Sequence, residues 1–180
     1  MYMLDVYWRN VREMALEGIR IKEFDYASSS VILRRGTYHY TIMFDGWRVT
    51  SVRLELVNKH ALILQSPAEG EWLDADGEQL PELAGAIDID ISITPFTNSL
   101  PINRLDWERG QERTLTMVYI DAEDFTFKPV EQTYTYLRDE GENRVFSYET
   151  ESYQTEITVN ELGLVVSYPG EFELDSPIKR

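Results

Sequence analysis

The chain has 180 residues, and its 32 acidic side chains outnumber its 17 basic ones, which gives a net charge of −15. A surface this acidic repels phosphate backbones and anionic lipid head groups, so we expect neither nucleic-acid binding nor direct membrane insertion. The chain contains no cysteine, and the spacing of its two histidines, His39 and His60, does not resemble a metal site. We therefore expect neither a metal nor another cofactor.

The N-terminal segment has no continuous apolar run, because charged residues interrupt it. It therefore lacks the apolar core of a secretory signal, and the sequence contains no stretch of roughly 18 apolar residues for a membrane span. These features predict a cytoplasmic protein. In the same segment apolar residues recur at helical spacing, at Leu4, Trp8, Val11 and Ala15, which predicts a short helix over residues 5–16.

Most of the remaining chain alternates with a period of two, in runs rich in Tyr, Thr, Val and Ile that are typical of strands. The clearest runs cover residues 37–44, 51–56, 114–119 and 153–159. Short separators such as Asp45-Gly46 supply tight turns, and tight turns indicate antiparallel pairing, since parallel crossovers need about a dozen residues or more. The sequence therefore predicts an all-β fold with little helix, in one domain spanning residues 1–180.

One of the predicted strands carries two aspartates, which strands rarely accommodate. Residues 86–105 read AIDIDISITPFTNSLPINRL, with isoleucines on one face of a strand and Asp88 and Asp90 on the other. The Cβ atoms of Asp88 and Asp90 are expected to lie roughly 6 to 7 Å apart, and at that distance the two carboxylates either repel each other or share cations or hydrogen-bond donors. The pair is therefore either a solvated outer face or part of a site.

The segment that follows, residues 94–101, contains two prolines and four small hydrogen-bonding side chains. Because proline ends a strand and fixes the backbone, we predict a rigid loop here. Its hydroxyl and amide groups bind either the loop's own backbone or a ligand.

The string DIDISITPFTNSLPINRL closely resembles the signature of a bacterial family labelled glycolipid-binding. That signature has an Asp-x-Asp strand followed by Thr-Pro-Phe-Thr-Asn, a small hydroxyl residue, Leu-Pro-Ile and Arg-Leu. Weaker similarities at residues 72–77, 132–134 and 168–170 extend the resemblance over most of the chain. The chain departs from the pattern at Ala86, where relatives often carry cysteine, and at Asn103, where a second arginine is common. The resemblance implies a large antiparallel sheet curled into a half-barrel, similar to the periplasmic lipoprotein carriers.

The favoured hypothesis is a non-catalytic binding protein that holds an amphiphilic ligand such as a glycolipid on the concave face of the sheet. Arg104, together with Arg48 and Arg53, is a candidate either to neutralise the aspartates or to hold an anionic head group. For Trp72 the alternative is packing in the core. The predicted ligand contacts are Asp88, Asp90, Thr94, Asn98, Arg104, Trp72, Gln132 and Tyr134.

Two other interpretations stay open at this point. Asp88 and Asp90 are an alternative acid/base pair for a hydrolase or isomerase acting on a sugar-like compound, since paired carboxylates perform glycoside chemistry at separations of about 5 to 9.5 Å. The third interpretation is a purely structural network. A deep apolar channel beside Asp90 would favour binding, a small polar cleft would favour catalysis, and the lack of any cavity would favour structure. The sequence leaves the oligomeric state open.

Overall fold

The computed structural model describes residues 2–175, which contain thirteen strands, one α-helix and a short 3₁₀ helix (Pro81–Leu83). The six strands that precede the 3₁₀ helix are β1 (Met3–Asn10), β2 (Ala15–Lys22), β3 (Tyr26–Leu33), β4 (Gly36–Asp45), β5 (Arg48–Leu56) and β6 (His60–Gln65). The central elements are β7 (Asp88–Ile91) and the helix α1 (Phe96–Arg104). The six strands that follow are β8 (Glu112–Asp121), β9 (Thr126–Glu140), β10 (Asn143–Thr150), β11 (Tyr153–Val159), β12 (Val165–Tyr168) and β13 (Phe172–Leu174).

These strands form a single sheet in the order β6-β5-β4-β3-β2-β1-β13-β12-β11-β10-β9-β8-β7. The sheet curls without closing, which confirms the predicted all-β half-barrel with little helix. Burial follows the alternation of the sequence. In β4, for example, Tyr38, Tyr40 and Ile42 are buried, whereas His39 and Met43 face solvent. The predicted domain of residues 1–180 includes Met1 and residues 176–180, which lie outside the described residues.

The helix predicted over residues 5–16 is wrong, because this segment contains most of β1, the turn at residues 11–14 and the start of β2. The two strands pair along their whole length, from Met3 opposite Lys22 to Asn10 opposite Ala15. The apolar spacing of Leu4 and Trp8 fits one turn of helix, but it also fits two repeats of a strand. The residue between them, Val6, is also buried, so the true period is two.

The pairing of β7 with β8 is parallel, whereas the other pairs of neighbouring strands in the sheet are antiparallel. Asp88 lies opposite Met117, and Ile91 lies opposite Ile120. The segment between the two strands contains α1, so it is long enough to return the chain to the beginning of a parallel neighbour. Tight turns indicated antiparallel pairing correctly wherever a tight turn was present.

The loop predicted over residues 94–101 is also wrong, because α1 begins at Phe96, directly after Pro95, and contains Pro101. Its residues from Phe96 to Ile102 are all buried, so no polar face marks the helix in the sequence. The helix packs against β5, β7 and β12, which are widely separated in the sheet. It therefore lies inside the curl and occupies much of the concave face on which a ligand was expected.

Candidate functional site

The faces of α1 and β7 explain why the motif residues meet in pairs. Thr97 and Arg104 are seven residues apart, which is about two helical turns, so both lie on the same side of α1. Asp88 and Asp90 are two residues apart on β7, so both point to the same face of the sheet. The helix runs back along the strand, which brings Thr97 to Asp90 and Arg104 to Asp88.

Asp88 is held by the arginine of its own motif. Arg104 Nε donates a hydrogen bond of 3.1 Å to Asp88 Oδ1, and Arg104 Nη2 donates one of 2.6 Å to Oδ2. The Asp88 side chain is 1% exposed and that of Arg104 is 15% exposed. Burial raises the pKa of Asp88, and the hydrogen bond from Arg104 opposes this rise. The other candidate arginines lie elsewhere, since Arg48 contacts the Ser66 carbonyl and Arg53 contacts Glu55.

Asp90 is held differently, by neutral donors. Gln132 Nε2 donates a hydrogen bond of 2.6 Å to Asp90 Oδ2, and Thr97 Oγ1 donates one of 3.2 Å to Oδ1. Burial raises the pKa of Asp90, and these two hydrogen bonds lower it in part. Among the described residues, no arginine, lysine or histidine forms an ion pair with this carboxylate.

Asp90 also lines a groove, most of which is formed by residues of β7 to β10. Asp90 lies opposite Tyr119, and Tyr119 lies opposite Lys128, so these three side chains share one face of the sheet. The groove has a larger lobe of about 1020 Å³ and a smaller lobe of about 390 Å³. Both lobes are lined by Asp90, Tyr119, Tyr148, Thr150 and Ser152.

A chain of hydrogen bonds through buried side chains positions Asp90. Asn98 Nδ2 donates to Tyr134 Oη at 2.9 Å, Tyr134 Oη donates to Gln132 Oε1 at 3.2 Å, and Gln132 then donates to Asp90. Asn98, Tyr134 and Gln132 are all buried. The predicted contacts Asp90, Asn98, Gln132 and Tyr134 therefore form one connected network, in which Asp90 is the partly exposed member.

Tyrosine rings continue from this network along the groove. The rings of Tyr134 and Tyr148 meet edge to face at 5.2 Å, and those of Tyr148 and Tyr168 meet in the same way at 5.8 Å. Tyr153, which is 38% exposed, packs against Tyr168 at 6.3 Å. The groove beside Asp90 thus combines a carboxylate with aromatic surface.

Sequence reasoning missed Glu17, a buried carboxyl on the other side of the motif. Its Oε1 accepts hydrogen bonds from Ser29 (2.8 Å), Tyr40 (2.5 Å) and Thr94 (2.9 Å). Its Oε2 is buried and has no hydrogen-bond partner among residues 2–175. Burial raises the pKa of Glu17 to about 7, against the hydrogen bonds that lower it. Its position in the sequence could have revealed it, because Glu17 lies two residues from Ala15 and two from Ile19, on the buried face of β2.

Thr94 serves mainly to join this buried carboxyl to the motif. Its Oγ1 donates to Glu17 and accepts a hydrogen bond of 3.1 Å from the backbone N–H of Phe96, at the start of α1. The side chain is buried, although the residue also contributes to the lining of the smaller lobe.

Trp72 and Asn103 lie apart from the groove. The indole N–H of Trp72 donates to the Ala86 carbonyl at 2.8 Å, and the residue is 2% exposed. Trp72 therefore packs in the core, which was the alternative to a ligand contact. Asn103 Nδ2 donates to the Leu162 carbonyl at 3.0 Å. Neither residue lines either lobe of the groove, so the departure from the family pattern at Asn103 does not alter the lining.

The arrangement does not support Asp88 and Asp90 as an acid/base pair. Asp88 is 1% exposed and bound by Arg104 through both oxygens, so the groove receives one carboxylate of the two. Within the part of the chain that the structure describes, no three side chains of His, Asp or Glu are grouped as metal ligands would be. No helix among residues 2–175 has the length and apolar character needed to span a membrane.

The class that fold and site define is an open β half-barrel with an internal helix and a groove beside a carboxylate. A family model described as "putative glycolipid-binding" matches residues 5–173, and the chain belongs to this family, as the sequence predicted. A similar solved structure is the crystal structure of a DUF1089 family protein from Pseudomonas aeruginosa. It is 30% identical, the match covers 88% of this chain and 91% of that chain, and the TM-score is 0.79. No curated protein matches the chain.

Proposed function

We propose that the protein is a binding protein for a small amphiphilic ligand, and that it holds a sugar-like head group in the groove beside Asp90. The observation that carries this proposal is the state of Asp90. Its side chain is only partly exposed and its carboxylate is held by two neutral donors, yet it lines a groove of ligand size. A group that served the fold alone would not need to face such a space.

The size and lining of the groove support a small ligand. Ligand pockets typically have about 300–1,000 Å³ and combine apolar walls with a few fixed polar groups. The larger lobe has about 1020 Å³, and its polar groups include Asp90 and the side chains of Thr150 and Ser152. Tyr148 supplies an aromatic wall, and an aromatic ring with a polar tip suits a ligand that is partly apolar.

Because α1 occupies much of the concave face, we propose that the ligand lies beside the helix rather than across that face. The helix fills the interior between β5, β7 and β12, and its residues from Phe96 to Ile102 are buried. Aliphatic surface in the larger lobe comes mainly from Pro129 and Val130. We therefore propose that the groove holds the head group and that a longer acyl chain extends out of it.

Binding of octyl β-glucoside below its micelle concentration tests this proposal, with isothermal titration calorimetry as the measurement. We expect saturable binding by the wild-type protein and strongly reduced binding by Asp90→Asn. Asp76→Asn is the matched control, because Asp76 is exposed in the turn at residues 74–77, and it should bind as the wild type does. Absence of saturable binding, or equal binding by Asp90→Asn, contradicts the proposal.

A further inference from the structure

We infer that the groove takes a glycosyl head group that is neutral or carries an amine, and that it disfavours a head group carrying a phosphate or carboxylate. This inference rests on the proposed function, since it specifies the chemistry of the ligand bound beside Asp90. It also replaces the expectation that an arginine of the motif holds an anionic head group.

The charged side chains that line the groove are mostly acidic. The lining carboxylates are Asp90, Glu131, Glu149, Glu151 and Glu171, and the lining cations are Arg12 and Lys128. Arg12 Nη1 lies 3.1 Å from Glu171 Oε1, so its charge is balanced locally. An anionic ligand would therefore meet negative potential that Lys128 offsets only in part, and the net charge of −15 adds to the repulsion.

Arg104, the arginine of the motif, adds no positive charge to the lining of the groove. Both oxygens of Asp88 bind Arg104, and the pair is nearly buried, so the guanidinium charge is neutralised where it lies. Arg104 does not line either lobe of the groove. A bidentate arginine contact to a ligand phosphate or carboxylate would require this ion pair to break.

Asp90 has the chemistry to accept hydrogen bonds from a ligand. An ionised carboxylate is an acceptor with about four lone-pair sites, and Thr97 and Gln132 each occupy one of them. Sugar hydroxyls and ammonium groups of a ligand can donate hydrogen bonds to the remaining lone-pair sites of Asp90. An ionised carboxylate of a ligand cannot, because it only accepts hydrogen bonds. Burial has raised the pKa of Asp90, and a donor from the ligand restores part of the lost stabilisation of its charge.

The experiment compares three ligands with the same octyl chain, namely octyl β-glucoside, octyl β-glucosaminide and octyl β-glucuronide, by calorimetry with the wild-type protein. We expect the glucosaminide to bind at least as tightly as the glucoside, and the glucuronide to bind about tenfold more weakly or worse, because its charge is repelled. A glucuronide that binds as tightly as the glucoside overturns the inference while the proposed function stands. If none of the three binds, the proposed function itself fails, and the inference fails with it.

Two further experiments test whether charge causes the difference in affinity between the glucoside and the glucuronide. Asp90→Asn should narrow the difference in affinity between the glucoside and the glucuronide, because it removes one of the repelling carboxylates, while Asp76→Asn should keep the wild-type difference. Raising the salt concentration from about 0.05 M to about 0.5 M should narrow the wild-type gap by screening the repulsion. If added salt instead weakens glucuronide binding, the anion is held by a cation, and the inference is wrong.

Discussion

Thr94 Oγ1 lies 2.9 Å from Glu17 Oε1, although 77 residues separate them in the chain. This contact joins the segment between β7 and α1 to β2, in the N-terminal half of the sheet. The contact of Asp90 with Gln132 joins the same motif to β9, in the other half. The segment from Asp88 to Arg104 therefore connects both halves of the curl as well as lining the groove.

The pH dependence of stability should contain a contribution from Glu17. Its pKa is raised from 4.5 to about 7 in the folded protein, so between these values the folded state binds a proton that the unfolded state lacks. The contribution is fully present below about pH 4.5 and is lost as the pH rises to about 7, and at about 1.4 kcal/mol per pH unit it amounts to about 3 kcal/mol. Chemical denaturation between about pH 4 and pH 8 measures it, as the difference in unfolding free energy between wild type and Glu17→Gln.

In that comparison the wild type should lose stability relative to Glu17→Gln as the pH rises, because the amide does not titrate. Glu123→Gln, at an exposed position, should give a difference that stays constant with pH. A constant difference for Glu17→Gln as well would show that Glu17 titrates near its usual value.

Arg104→Ala should destabilise the protein strongly, because it leaves Asp88 charged and buried without its partner. Loss of one member of a buried ion pair typically costs about 3–5 kcal/mol, compared with about 1 kcal/mol or less for an exposed pair. Urea unfolding should show this loss, and Asp88→Asn added to Arg104→Ala should recover part of it. Arg53→Ala is the control for an exposed pair. Equal small losses for Arg53→Ala and Arg104→Ala would contradict a structural role for Arg104.

Gln132→Leu should raise the pKa of Asp90 further, because it removes a hydrogen bond that stabilises the ionised carboxylate. The carboxyl ¹³C shift of Asp90, followed by NMR as the pH changes, measures this effect directly. The same variant should weaken binding of octyl β-glucoside, since the orienting donor is lost. Gln154→Leu, at an exposed position of β11, should change neither the titration nor the binding. An unchanged Asp90 titration in Gln132→Leu would mean that Gln132 does not position this carboxylate.

The parts of the fold that the sequence predicted are those in which buried and more exposed residues alternate along the strand. The alternation of Tyr38, Tyr40 and Ile42 with polar residues identified β4 because burial there has a strict period of two. The same criterion failed for α1, because Thr97, Asn98 and Ser99 are buried together with Phe96 and Leu100. A helix that is enclosed on all sides leaves no periodic signal.

The sequence identified residues of the site but not the contacts between them. The residue types of the motif drew attention to Asp88 and Asp90, but their separate roles depend on partners far away in the chain or across a helix that the sequence did not reveal. Arg104 reaches Asp88 only because α1 runs back along β7, and Gln132 reaches Asp90 through the register of β9. Glu17 was readable from its phase in β2, but its link to Thr94 is purely tertiary.

NMR chemical-shift mapping with octyl β-glucoside measures whether the ligand lies in the groove beside Asp90. We expect the largest changes at the Gln132 side-chain amide and at the backbone amides of Asp90, Tyr119, Tyr148 and Thr150. A second depression of about 400 Å³ lies on the opposite face of the sheet, over β2 to β4, and its lining includes Gly18, Ser30 and Thr41. Changes concentrated at those three residues, with Asp90 and Gln132 unaffected, would show that the ligand binds outside the groove beside Asp90.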